Sequence, residues 1–154
     1  MFLYGMGKVV EIGIAEIKGN QLQKKNEVEA LKDQGLLNDR KSRTNNQKES
    51  QLTLIEIENV NYYNNLSNTN FFPLDFRRNI VTENIRLNKL VGKEFFIGEV
   101  KLKAHDLCRP CKYLQKKLKQ NSLVEMLLDK AGLRCEILTS GKISVGDIIK
   151  LKDD

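Results

Sequence analysis

From Leu133 to Leu151 the sequence alternates short apolar runs with glycine-bearing turns. Leu133 to Leu138 is followed by Ser140-Gly141, Lys142 to Val145 by Gly146-Asp147, and Asp147 to Leu151 closes the series. Phe95-Phe96-Ile97 and Val100 to Ala104, joined at Gly98-Glu99, repeat the pattern as a hairpin. In its second arm Val100, Leu102 and Ala104 face in, while Lys101, Lys103 and His105 face out. Strands this short and this closely turned must stack or close on themselves to hide their edges. The expected fold is mainly β, a barrel or sandwich with a few attached helices.

The upstream half fits less regularly. Residues 8–17 read as a strand with Val10, Ile12 and Ile14 on one face. Residues 22–34 are too polar for a firm assignment, and the polar stretch from Asn38 to Gln51 reads as a long loop. Leu52 to Ile55 is a short buried strand, and Glu56 to Tyr63 favours a helix. Asn59 to Asn70 holds six Asn in twelve residues and reads as an irregular surface connection. A helix is expected from Lys112 to Lys119. A second follows the capping box Ser122-x-x-Glu125 and stops at Gly132.

A chain of 154 residues suits one domain, here residues 7–151. No run reaches membrane-spanning length and no leader pattern opens the sequence, so no membrane partner and a cytoplasmic location are expected. Net charge is +6, and the segment 101–119 carries seven cations against Asp106 alone. Such a patch calls for an anionic partner, although solvated lysines are the commoner explanation. Nucleic acid is not expected, because the four Tyr and six Phe form no stacking platform and Trp is absent.

The sharpest chemical feature is Leu107-Cys108-Arg109-Pro110-Cys111. Cys111 falls at an expected helix start after a Pro, and Arg109, Lys112 and His105 add positive charge; each favours thiolate over thiol. A thiolate is both a nucleophile and a soft metal ligand. Three other readings compete: half of a zinc site completed by His105 and Cys135, a thioredoxin-like redox pair, or buried small hydrophobes. The last suits Cys135 best. Arg77 and Arg78 are adjacent on an extended segment, so one can pair internally while the other faces a pocket, where its planar fork suits phosphate. No Ser-His-Asp set, phosphate-binding Gly loop, dinucleotide fingerprint or recognisable acid pair is present.

Taken in order, these segments resemble the MOSC domain, named for the C-terminal domain of molybdenum cofactor sulfurase, and are similar to its short stand-alone bacterial members. The densest match runs from Phe76-Arg77-Arg78-Asn79-Ile80 through Leu90 to Val100 and Leu107 to Cys111, then Gly132 to Leu138 and Gly141 to Asp147. The resemblance implies a closed β-barrel like the small barrel domain of pyruvate kinase. It further implies molybdenum cofactor (molybdopterin), sulfur carriage or reduction of N-hydroxylated compounds. It assigns Cys111 as the metal-ligating thiolate, with Cys108 as its helper. Arg77, Arg78 and Asn79 then lie beside the cofactor, with Arg109, Arg40 and Lys41 as further anion-holding groups. Relatives commonly carry Gly-Asp-Arg-His where this chain has Asn38-Asp39-Arg40-Lys41; Lys41 keeps a cation and removes an imidazole.

Three functions follow as expectations. The first is a molybdenum-cofactor-binding protein acting in oxidoreduction. The second is a sulfur carrier or transferase using a Cys111 persulfide. The third is a binding module that holds the cofactor without turnover. Any redox or sulfur-donor partner is expected to be a separate protein.

Overall fold

The computed structural model describes residues 6–110 and 112–152; Cys111 lies outside the described residues. Seven strands close a barrel: β1 (Met6–Ile14), β5 (Leu52–Glu56), β6 (Ile80–Glu83), β7 (Glu94–Ile97), β8 (Val100–Leu107), β9 (Leu133–Ile137) and β11 (Ile148–Leu151). Their order is β11-β7-β8-β9-β5-β6-β1, and β1 returns to β11 from Met6↔Lys150 to Lys8↔Ile148. The mainly β, closed-barrel expectation therefore holds. Of these pairings only β5–β6 is parallel. A parallel pair needs a crossover, and here it includes α1 (Ile57–Ser67).

The segment without a firm assignment forms β2 (Gln23–Lys25), which extends β1, and β3 (Glu27–Leu31). With β4 (Gly35–Leu36) and β10 (Gly141–Ser144), β3 makes a small second sheet. Two short helices, α2 (Lys112–Lys117) and α3 (Leu123–Met126), lie between β8 and β9.

The core is double. Ile12, Leu54, Ile80, Phe95, Leu102 and Ile137 belong to the cluster built on the barrel strands. Ile55 and Val81, each one residue further along its strand, join Tyr63, Phe76, Leu114 and Leu123 in a second cluster with the helices. Side chains alternate between the faces of a strand, so β5 and β6 bury both faces and read as continuous apolar runs. Tyr63 and Phe76 meet edge to face, with ring centroids 5.8 Å apart.

Several local expectations are corrected. The register of β1 shifts between Val9 and Glu11, a bulge-like irregularity. Val9, Ile12 and Ile14 consequently share one cluster while Val10 packs against the other. The Asn-rich segment is helical as far as Ser67, because α1 buries Val60 and Tyr63, and tertiary burial outweighs the weak helix propensity of Asn. It ends at Asn68 in the left-handed region, φ 56°. α2 stops at Lys117, and Lys119 has φ 55°. Ser122 makes no side-chain cap, and α3 ends well before Gly132. No helix among the described residues is long and apolar enough to cross a membrane.

Candidate functional site

The Asn38–Lys41 turn is built by Asp39. Asn38 takes φ 69°, and the buried Asp39 carboxylate accepts hydrogen bonds from Ala15 N at 3.1 Å and Lys41 N at 3.4 Å. Arg40 N donates to Ala15 O at 2.7 Å, clamping the turn to the end of β1. Arg40 itself is folded inward against Asp39, Nη1 to Oδ1 3.5 Å. Its pKa is lowered, first by burial and then by the neighbouring Arg77 charge, with Asp39 and Tyr113 opposing.

Asn79 is a buried tie rather than a surface group. Its Oδ1 accepts from Thr53 N at 3.3 Å and Oγ1 at 3.2 Å, and its Nδ2 donates to Gly13 O at 3.1 Å. It thereby locks β1, β5 and the start of β6 together. The extended segment expected for the two arginines before it is corrected: Arg77 ends the 3-10 turn Pro73–Phe76 in the left-handed region, φ 64° and ψ 32°, and the two side chains diverge from that kink. Arg77 (φ 64°) donates from Nη1 to Asn20 O at 2.9 Å. Arg78 donates from Nε to Ala131 O at 2.8 Å.

That divergence sends Arg78 into a cleft of about 370 Å³. Lys41 comes to it from the Asp39 turn, and Ser50 and Thr53 from around the start of β5. Asp106, Leu107, Cys108 and Arg109 come from the end of β8 and the loop after it, and Arg134 from β9. Lys41, Arg78, Arg109 and Arg134 thus face a single acid, Asp106. Of the residues expected at the site, Lys41, Arg78, Cys108 and Arg109 are brought together here. Arg40, Arg77 and Asn79 do not line the cleft, and Cys111 lies outside the described residues.

The cleft perturbs its own titrating groups. Cys108 is 4% exposed, and burial raises its thiol pKa, with the charges of Arg78, Arg134 and Lys41 pulling the other way. Lys41 is lowered, first by desolvation and then by Arg40 and Arg78. Although Lys41 is exposed by surface area as a whole residue, its ammonium sits among these charges. Arg134 Nε is buried and has no hydrogen-bond partner among the described residues.

Two other elements of the sequence reading settle elsewhere. His105 Nε2 lies 2.8 Å from Glu136 Oε1, so it is paired across strands rather than freely solvated. Cys135 is fully buried, its pKa well above the usual thiol value through burial. Among the described residues no group of His, Cys, Asp and Glu is gathered to hold a metal. The basic segment 101–119 is not one patch: Lys101 pairs with Glu94 at 3.0 Å and Lys117 donates to Gly19 O at 3.0 Å.

Sequence reasoning missed Arg134 and Asp106 as cleft residues. The available signal was Arg134 beside Cys135 in a strand that also carries Glu136, two charges within the run Leu133 to Leu138.

Comparison with known proteins agrees with this architecture. The sequence profile of the MOSC domain matches residues 39–150. No curated protein matches the chain by sequence. The YuaD protein from Bacillus subtilis superposes with a TM-score of 0.81 at 17% identity, over 98% of each chain. YiiM from Geobacillus stearothermophilus gives a TM-score of 0.76 at 16% identity, over 96% of this chain and 75% of that one. YiiM from Escherichia coli gives 0.71 at 17% identity, over 96% and 70%. At these identities the solved structures establish the fold alone.

Proposed function

The chain belongs to the MOSC domain family, and on that premise we propose that residues 7–151 form one domain that binds molybdenum cofactor for an oxidoreduction, with the Cys111 thiolate as metal ligand. The observation carrying this reading is the cation excess of the cleft beside Cys108, on the loop that leads to Cys111. The donor set fits an anionic cofactor. Lys41, Arg78, Arg109 and Arg134 outnumber Asp106, and a buried guanidinium nitrogen among them lacks a partner among the described residues.

Arg78, Lys41 and Arg109 would hold the cofactor's phosphate and pterin. The molybdenum centre, when bound, supplies two-electron redox chemistry. Asn79 acts indirectly, by fixing the strands on which Arg78 and Thr53 stand. Arg40 and Arg77 shape the neighbouring turn and contribute positive potential from behind. A separate protein would supply electrons, and a cytoplasmic location suits a chain with unpaired Cys108 and Cys135.

The test is molybdenum content by elemental mass spectrometry in protein from a cofactor-making host. Wild type should carry molybdenum and Cys111→Ala should lose it; equal content in both would sink direct ligation.

A second reading is sulfur carriage on a Cys111 persulfide. It is favoured by the absence of an imidazole from the cleft. The chain's single His is turned to Glu136, and the family's usual His position is Lys41. Intact-mass analysis of non-reduced protein should then show a reductant-sensitive sulfur adduct that Cys111→Ala lacks. The same missing imidazole is compatible with a binding module without turnover, which would retain its ligand yet reduce no substrate with any electron donor.

A further inference from the structure

The β8–β9 ladder pairs Ala104 with Cys135 and Asp106 with Arg134, so His105 is an extra residue on β8. Bulges of this kind re-aim side chains next to functional clefts. Here the irregularity leaves Arg134 and Asp106 facing each other at the cleft wall, while His105 turns to Glu136. The facing pair is loose. Arg134 Nη2 stands 3.9 Å from Asp106 Oδ2, too far for a hydrogen bond. Asp106 spends its other oxygen on the Leu107 amide, at 2.8 Å. The Asp106 side chain is 57% exposed, which screens the pair further.

Two of the three guanidinium nitrogens of Arg134 are therefore under-used. Nη2 has a distant carboxylate, and Nε is buried with no acceptor among the described residues. A buried donor left unmade is costly, and native proteins rarely keep one without a function or a missing partner. A side-on arginine fork, Nε with one Nη, matches two oxygens of a phosphate or a similar oxyanion. Arg78 stands across the same cleft with its own Nε already committed to Ala131 O, and Lys41 is close enough to feel its charge.

We propose that Arg134 is the anchor of an oxyanion subsite in this cleft, completed by Arg78 and Lys41, and that Asp106 holds Arg134 only until an oxyanion replaces it. This rests on the reading of the cleft as an anion site and adds to it a residue, a ligand chemistry and a competing internal carboxylate. Binding requires a small turn of the Arg134 side chain away from Asp106, which the loose ion pair permits. Asp106 thus tunes affinity downward, since it is the single acid among four cations in the cleft.

The experiment is calorimetric titration of the full chain with inorganic phosphate at low ionic strength. Four variants are compared with wild type: Arg134→Lys, Asp106→Asn, Arg78→Gln and Lys89→Gln. Far-ultraviolet circular dichroism and thermal unfolding check that each is folded. Arg134→Lys keeps the charge and loses the fork, so phosphate should bind roughly tenfold more weakly. Asp106→Asn keeps the Leu107 bond and removes the competitor, so binding should tighten about two- to fivefold. This gain cannot come from misfolding. Lys89→Gln, on a different cavity, should change nothing.

If Arg78→Gln weakens binding while both Arg134→Lys and Asp106→Asn leave it unchanged, the subsite is wrong and the anion-site reading survives. If wild type binds no phosphate, both fall. Repeating the titration on molybdenum-loaded protein separates two sources of the same chemistry. Blocked phosphate binding assigns the subsite to the cofactor's own phosphate, and undiminished binding assigns it to a free oxyanion.

Discussion

Two cavities, entered from residues three apart on β5, have opposite chemistry. Thr53 lines the cleft of about 370 Å³, and Glu56 lines a second cavity of about 590 Å³. The second is larger and has an apolar floor of Ile85, Leu90 and Leu151. Its charges are nearly balanced, Glu56, Glu58 and Asp129 against Arg86, Lys89, Lys93 and Lys130. Two of its three acids are also already engaged: Glu56 accepts from Leu87 N at 3.2 Å and Glu58 from Asn84 N at 2.9 Å. Among the described residues the smaller cleft has one acid for four cations and a donor without an acceptor. Size alone favours the larger cavity; unmatched charge and unmet hydrogen-bonding capacity favour the cleft as the proposed anion site.

The strongest way to break the contrast is to remove the backbone that makes the cleft. Gly132 has φ 115°, and a Cβ there would run into the Leu54 carbonyl oxygen. Gly132→Ala should cost more than about 3 kcal/mol, visible as a large fall in urea midpoint or loss of folded protein. Asn79→Ala is next, because it strips three strands of shared hydrogen bonds. Leaving Thr53 and Gly13 groups unpaired should cost about 2–4 kcal/mol in denaturant unfolding.

Charge reversal compares the two cavities directly. Arg78→Glu should weaken phosphate binding at least about tenfold, and Lys89→Glu less than about twofold, by titration at low salt. Equal effects would erase the distinction between the cavities.

The smallest expected effect belongs to Glu56. Burial is the largest cause of its raised pKa, so the folded chain holds this proton more tightly than the unfolded one. Its stabilising contribution is full below the ordinary glutamate pKa and is lost as pH rises through the raised folded value. Glu56→Gln should flatten that decline in urea midpoints measured from mildly acidic to neutral pH. An unchanged slope would show that Glu56 is not the group responsible. Thiol labelling adds a kinetic check within the cleft. Cys108 should alkylate slowly at neutral pH, because its pKa is raised and it is nearly inaccessible.

The late strands were legible because Leu133 to Leu151 and the Phe95–Ala104 hairpin bury alternate residues between close turns, a pattern local in sequence. The helix expected over Glu56 to Tyr63 is the first part of α1, and its asparagines obscured only the continuation to Ser67. Their weak helix propensity is overridden by Val60 and Tyr63 packing on the barrel, and Asn64 seals the end with bonds to the Phe71 backbone. Alternation on an extended segment was the expectation for Arg77 and Arg78, but Arg77 sits in the left-handed region at the end of a 3-10 turn, and the sequence did not show which of the two faces the cleft. That depends on Asn20 and Ala131, residues remote in sequence that supply the accepting carbonyls.

By itself the sequence determined the β-rich class, the family and the Cys-x-x-Cys loop, because each rests on local alternation or on motifs in order. Only the tertiary structure decided which charges meet. A register shift in the β8–β9 ladder sets Asp106 rather than His105 opposite Arg134, and His105 pairs with Glu136 instead. A register is a relation between two strands, and no single segment encodes it alone.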